Sequence, residues 1–350
     1  MESDLPILLI TGVNGYLGSW ITLKALQTKK YKVRGTVRDH TSKAKTAPLK
    51  EALGDLFDEL ELVSVDLSDK DSIAKAVAGC DFILHVASPY PNDTPKNEDD
   101  VIKPAVDGTI AVLEAWLGST VKRVVTTSSC AAINDFTKGD AEYDETHWPE
   151  ITKSTTPYVK SKILAEKASW EYIDVLTEEE KTFEFCTVNP GVIVGPLLVK
   201  STGTSQTIIS SLLEGKYGSC PVVYFPFVDV RDVADAHLKA LEAKPFERYA
   251  LNSETLKISD VGNIIFDNFK PMGYSVTHKD MYKTTAWVAG CFSSAVGSIY
   301  ADWGVRCHIK NDKARKELGI EFIPAKDSII EMCYSMMDHK LVADKRPKTT

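Results

Sequence analysis

Tyr158 and Lys162 stand four residues apart, a spacing that puts both side chains on one face of a helix. Of the 13 tyrosines in the chain, Tyr158 alone has a lysine four residues later. A free phenol, with a pKa near ~10, exchanges protons poorly at neutral pH, and a neighbouring ammonium favours the phenolate and lowers that value. Upstream, Thr126-Thr127-Ser128-Ser129 closes an apolar run with a row of hydroxyls. These groups suit a reaction in which hydride reaches a carbonyl carbon while charge grows on its oxygen, because that oxygen needs a hydrogen-bond donor and a proton. Ser129 would donate the hydrogen bond, Tyr158 the proton, and Lys162 would tune the phenol. Lysine is common enough for one such Tyr–Lys pair to arise by chance, so the pair has meaning only through its company.

That company begins at Leu8-Leu9-Ile10-Thr11-Gly12-Val13-Asn14-Gly15-Tyr16-Leu17-Gly18, which reads as a strand, a glycine-rich turn and a helix start. Glycines at 12, 15 and 18 permit a tight turn and close backbone approach, and the helix start around Asn14, Tyr16 and Leu17 presents N–H groups to a pyrophosphate. No Gly-Lys-Ser/Thr follows, which disfavours a nucleotide-hydrolase loop. After the second strand comes Arg38 with Asp39, where an NAD enzyme usually carries an acid, and an arginine there suits a 2′-phosphate. Lys43 or Lys45 could add a second positive charge. Asp66 and Leu67 end the third strand and could meet the adenine edge, although Asp66 could instead cap the following helix. The expected cofactor is therefore NADP(H), with the Lys162 ammonium reaching the nicotinamide ribose.

The elements that must position these residues alternate in the first half of the chain. Strands are expected at Ile7–Ile10, Lys32–Val37, Leu60–Val65, Phe82–Val86, Arg123–Thr127 and Phe183–Val188, with helical segments between them. The pattern predicts an α/β fold, a doubly wound parallel (Rossmann) sheet with a smaller, mostly C-terminal substrate-binding region. Residues 1–195 and 222–250 are assigned to the nucleotide-binding domain, and 196–221 with 251–350 to the discontinuous substrate region, the chain returning to the sheet near 222–241. Two helical stripes, Leu17-Trp20-Ile21-Ala25 and Leu164-Ala165-Ala168, are expected to face the sheet. Asp232 is expected to cap a helix. A net charge of −8 without a basic cluster argues against nucleic acid and points to a small molecule. The first apolar run is too short for a signal peptide or membrane span, so the expectation is a cytoplasmic protein. Seven cysteines without C-x-x-C spacing predict free, mostly buried thiols and no metal.

These segments together resemble the extended short-chain dehydrogenases/reductases, specifically the branch of dihydroflavonol reductases, cinnamoyl-CoA reductases and fungal aldehyde/ketone reductases, over nearly the whole chain. The Thr11–Gly18 loop, Thr36-Val37-Arg38-Asp39 and His85-Val86-Ala87-Ser88-Pro89 resemble the family's cofactor-binding strand ends. Thr127-Ser128-Ser129 resembles the strand with the catalytic serine, taken as Ser129 because the family's serine directly precedes a small residue, here Cys130. Tyr158 to Lys167 is similar to the active-site helix, and Asn189 to Pro196 to the loop over the nicotinamide. The resemblance implies cofactor contacts from Lys45, Val86, Ala87, Ser88, Ser128, Pro190, Gly191, Val192 and Ser205. It implies a substrate contact from Asn134 beside Ser129 and Tyr158, and Tyr90, Tyr217, Tyr224, Phe225 and Phe227 are expected to line an apolar cleft. The implied activity is NADPH-dependent reduction of a hydrophobic aldehyde, ketone or dihydroflavonol-like compound, by a monomer or homodimer. Where the cinnamoyl-CoA branch carries Asn-Trp-Tyr-Cys-Tyr-Gly-Lys, this chain has Thr156-Pro157-Tyr158-Val159-Lys160-Ser161-Lys162, which counts against that substrate. Two other readings stay open. One is a nucleotide-sugar epimerase or dehydratase of the same superfamily, which favours tightly held NAD and is opposed by Arg38. The other is a sensor that binds NADP without turnover, opposed by the presence of both Tyr158 and Lys162.

Overall fold

The computed structural model describes residues 5–87, 97–285 and 302–347. Its first half runs β1 (Ile7–Ile10), α1 (Tyr16–Thr28), β2 (Lys32–Val37), α2 (Lys43–Leu53), β3 (Leu60–Ser64), α3 (Lys70–Val77), β4 (Phe82–His85), α4 (Asp99–Trp116), β5 (Arg123–Thr127), β6 (Ala141–Tyr143) and α5 (Pro157–Asp174). The rest runs β7 (Glu184–Pro190), β8 (Val192–Val194), α6 (Thr204–Leu213), β9 (Tyr224–Asp229), α7 (Val230–Ala240), β10 (Glu247–Leu251), β11 (Glu254–Lys257), α8 (Ile258–Phe269), β12 (Cys307–Ile309), α9 (Asp312–Glu317) and α10 (Ala325–Asp338).

Seven strands form one parallel sheet in the order β10-β7-β5-β4-β1-β2-β3. Its central strands are apolar almost without interruption because helices cover both faces. Leu8 and Ile10 of β1 pack toward α1 and α7 with Leu17, Ile21, Val230 and Val233. Leu9 packs toward the opposite layer, with Ile83, Val124, Val112 and Trp116. From β1 the chain builds outward to β3 and then crosses back to β4, so β1 and β4 flank the point where strand order reverses, the position at which such sheets hold ligands. A separate core gathers Ile209, Phe227, Ile265, Phe269, Ile329 and Met332 from α6, β9, α8 and α10. It carries a three-stranded sheet, β11-β9-β8.

Three expectations are corrected. The stretch 222–241 does not rejoin the large sheet: β9 pairs with β8 and β11, and β10 is the strand that returns. Both sheets use the same kind of apolar run, so local sequence does not say which one a strand enters. Helix α7 is capped by Asp229, whose carboxylate accepts from the Arg231 N–H, while Asp232 lies inside the helix and accepts from the Ile323 N–H at 2.8 Å. On α5 the buried face is Ser161, Ile163, Glu166, Ser169 and Ile173. Leu164, Ala165 and Ala168 are only half-buried, because Glu166 finds polar partners in the sheet that no helical periodicity announces. The Leu17-Ile21-Ala25 stripe does face the sheet, and Trp20 beside it donates its ring N–H to the Pro196 carbonyl at 2.8 Å.

Candidate active site

The glycine loop is closed by backbone contacts. The N–H groups of Gly12 and Val13 donate to the Thr36 carbonyl at 3.1 and 3.2 Å, and Gly15 donates to Gly12 at 3.0 Å. Gly12 has φ of 73°, and a Cβ on Gly18 would sit 2.2 Å from the Gly12 carbonyl oxygen, so side chains are excluded where the turn closes on the helix. Gly15 is the N-cap of α1 and no side chain caps that end, which leaves its N–H groups for an anion. Leu17 is buried in the core and Tyr16 donates its hydroxyl to the Gly195 carbonyl at 2.7 Å, so each can offer the loop only main-chain groups. Asn14 is half-buried at the turn. Thr11, just before it, accepts through its hydroxyl from the N–H groups of Val86 and Ala87 at 2.9 and 3.0 Å and meets His85 Nδ1 at 3.0 Å. The strand ends of β1 and β4 are thus locked together by a threonine that sequence reasoning did not single out.

Beyond β2 the side chains of Arg38 and Lys45 are exposed. Asp39 is engaged locally, its Oδ1 accepting from the Thr41 N–H at 3.0 Å and the Thr41 hydroxyl at 2.7 Å, bonds that lower its pKa. Asp66 does not cap α3, a role taken by Asp69. Its Oδ1 accepts from Ser68, and those bonds, ahead of the charge of Arg38, hold its pKa low. This cradle fits an adenine nucleotide with a 2′-phosphate: an uncapped helix start at the pyrophosphate position and exposed cations around the second strand end.

One cleft is lined by Leu67, His85, Ala87, Thr127, Ser128, Lys162 and Glu166. It brings the ends of β4 and β5 and the loop after β3 against α5. Helix α5 begins at Pro157, with the Thr156 hydroxyl accepting from the Val159 N–H, and this places Tyr158 in the first turn, exposed. The Lys162 ammonium lies 5.9 Å from the centre of the Tyr158 ring. Burial pushes the Lys162 pKa down, and the carboxylate of Glu166 acts the other way. Burial, and then the charge of Lys162, hold the His85 pKa down at about 4, so that ring is neutral at physiological pH. Ser129 starts a short turn, its Oγ accepting from the Ala131 N–H at 3.1 Å. Ser128 points inward and donates to Glu166, and Thr127 meets His237 Nε2 at 2.7 Å. The two serines therefore face different surroundings.

Pro190 ends β7 buried, Gly191 donates to the Leu251 carbonyl at 3.0 Å, and Val192 opens β8 half-buried. Ser205 lies in the first turn of α6. Asn134 is buried with its Oδ1 lacking a hydrogen-bond partner among the described residues. Phe227 is fully buried among the apolar side chains of the second core, which corrects its expected place on a cleft wall. Ser88 and Tyr90 lie outside the described residues. The six described cysteines are free and buried, and among the described residues no group of His, Cys, Asp or Glu is placed to hold a metal and no helix is long and apolar enough to cross a membrane.

A parallel sheet with a glycine loop at its switch point and hydroxyls at the neighbouring strand ends defines a dinucleotide-binding protein of the doubly wound class. Residues 8–251 match the family described as NAD dependent epimerase/dehydratase. The chain is 31% identical over 343 residues to a cinnamoyl-CoA reductase of Medicago truncatula, covering 95% of this chain and 96% of the relative. It is 33% identical over 282 residues to a dihydroflavonol 4-reductase of Hordeum vulgare, covering 77% of each. Among solved structures, the yeast methylglyoxal/isovaleraldehyde reductase Gre2 complexed with NADPH superposes with a TM-score of 0.76 at 26% identity, over 95% of this chain and 99% of that one. The chain belongs to the NAD dependent epimerase/dehydratase family, that is, to the extended short-chain dehydrogenases/reductases.

Proposed function

We propose that this protein is an NADPH-dependent carbonyl reductase that converts a hydrophobic aldehyde, ketone or dihydroflavonol-like compound to the alcohol, acting in the cytoplasm as a monomer or homodimer. The observation that carries the reading is the cleft in which Lys162 meets the ends of β4 and β5, with the Tyr158 ring 5.9 Å from its ammonium. Bound NADPH would supply the hydride. Ser129 orients the carbonyl oxygen by donating a hydrogen bond, and Tyr158 passes its phenolic proton to that oxygen as charge develops there. Lys162 favours the phenolate that remains and holds the nicotinamide ribose. Gly12, Asn14, Gly15, Tyr16, Leu17 and Gly18 hold the pyrophosphate, Arg38 and Lys45 the 2′-phosphate, and Asp66 with Leu67 the adenine. Val86, Ala87, Ser128, Pro190, Gly191, Val192 and Ser205 line the rest of the nucleotide. The buried Oδ1 of Asn134, lacking a partner among the described residues, suits a substrate hydroxyl.

Support comes from named relatives that are reductases and from a structural neighbour that holds NADPH. The test is NADPH oxidation with a panel of aldehydes, diketones and dihydroflavonols. Turnover with hydrophobic members, and a much higher kcat/KM with NADPH than with NADH, is expected. Turnover of nucleotide sugars with cofactor retained through purification would favour an epimerase, and NADPH binding without turnover of any carbonyl would favour a sensor.

A further inference from the structure

Behind the proposed catalytic groups lies a carboxylate that the mechanism does not use. Glu166 follows Lys162 by one helical turn, lines the same cleft, and is 3% exposed. Its Oε1 accepts from Arg248 Nε at 2.7 Å and Thr187 Oγ1 at 3.1 Å, and its Oε2 accepts from Asn189 Nδ2 at 2.6 Å and from the Ser128 hydroxyl. Asn189 also donates to the Ser129 carbonyl at 3.2 Å, so the carboxylate is one residue removed from the backbone that presents the catalytic serine. On the far side Arg248 donates to the carbonyls of Ala132, Glu145 and His147 at 2.7 to 2.8 Å, which ties the same carboxylate to the segment after Ser129. A buried ion pair with every oxygen occupied is an expensive way to gain stability alone, since well-packed apolar groups often serve as well.

We propose that Glu166 is a positioning residue of the active site, whose buried carboxylate keeps the neighbouring Lys162 in its ammonium form while fixing the strand end that carries Ser129. The inference rests on the reductase reading. Its geometry is the shared cleft and the one-turn spacing, and the electrostatics agree, because burial strips Lys162 of solvation and Glu166 opposes the loss of its proton. The other ionisable groups around this helix are His85 on β4, neutral; Tyr158 in the first turn; Arg248 on β10, paired to Glu166; and Cys130 and Glu145, both raised by burial. Just before α4, Glu98 is bound to Lys160 at 2.5 Å, and Lys103 and Asp107 of α4 share the outer groove with Lys167. Glu166 is the carboxylate that shares the cleft with Lys162.

The test compares wild type with Glu166→Gln, which keeps the shape and removes the charge, and with Thr187→Val, which removes a neutral partner of the same carboxylate. Two quantities are read: the pH profile of single-turnover hydride transfer, and the titration of the Lys162 side chain by NMR of isotope-labelled lysine, assigned with Lys162→Met. The protonated lysine is the active form, so losing the carboxylate lets Lys162 shed its proton at lower pH. The alkaline limb and the lysine titration should both move down in Glu166→Gln, with a ~10-fold loss of rate above the limb, and stay in place in Thr187→Val. A slower Glu166→Gln with both titrations unmoved would make Glu166 a purely structural group and overturn the proposal. If Glu166→Gln does not fold, the wild type still decides: a Lys162 already deprotonated below neutral pH refutes it. Failure of the reductase reading is separate, since it appears as absent NADPH oxidation by wild type while the lysine titration still scores Glu166.

Discussion

The two ends of the proposed nucleotide site are built in opposite ways. At the phosphate end, Arg38 and Lys45 are exposed, and the nearby carboxylates of Asp39 and Asp66 are occupied by hydrogen bonds within their own turns. At the carbonyl end, Glu166, Asn189 and Arg248 are buried and bonded to one another across three separate elements. The contrast follows from the tasks. A doubly charged phosphate can be recognised by flexible cations in water, whereas proton transfer needs groups held to a fraction of an ångström by neighbours that cannot move. Charge recognition at the first end should be modest and salt-sensitive, and chemistry at the second should be large in effect and insensitive to salt.

The largest effect should come from Tyr158→Phe, which keeps the ring and removes the proton. Its kcat should fall by ~10² to 10⁴, the usual cost of losing a general acid, with NADPH affinity nearly unchanged by fluorescence titration. Hydride transfer at close to the wild-type rate would break the mechanism while leaving the fold intact.

Next is Arg248→Met, which leaves the Glu166 carboxylate buried without its cation. Removing one partner of a buried pair typically costs ~3–5 kcal/mol, so denaturant unfolding should show a large drop in midpoint. A loss below ~1 kcal/mol, the range of exposed pairs, would mean that the carbonyl end is not built on this ion pair.

The two serines sharpen the comparison within one strand end. Ser129→Ala should lower kcat by ~10² to 10³, as for a deleted oxyanion donor. Ser128→Ala, whose hydroxyl serves Glu166, should be milder in turnover. The reverse order in single-turnover rates would exchange their roles.

The smallest effect belongs to the phosphate end. Arg38→Ala should raise the KM for NADPH about 10- to 100-fold, the range of a lost charge-assisted contact, with little change for NADH. Because Arg38 is exposed, the wild-type preference should weaken with added salt. A preference unmoved by both would place 2′-phosphate recognition elsewhere.

Much of this was legible before any coordinates. The positive φ and close approach required at Gly12 and Gly18 leave a glycine signature, and the one-turn spacing of Tyr158 and Lys162 survives folding because a helix preserves local order. The strands Ile7–Ile10, Lys32–Val37 and Arg123–Thr127 were readable from apolar runs bounded by turns. Tertiary structure alone decided what those runs joined. It sent β9 to a second sheet, gave the α7 cap to Asp229, and turned the buried face of α5 from Leu164 and Ala168 to Glu166. A buried carboxylate is stable only if its partners arrive, and beyond Trp170 one turn along the same helix those of Glu166 come from Ser128, Thr187, Asn189 and Arg248, remote in sequence. No local pattern can announce such a residue, because the physics that permits it lies in strands that meet only when the sheet closes.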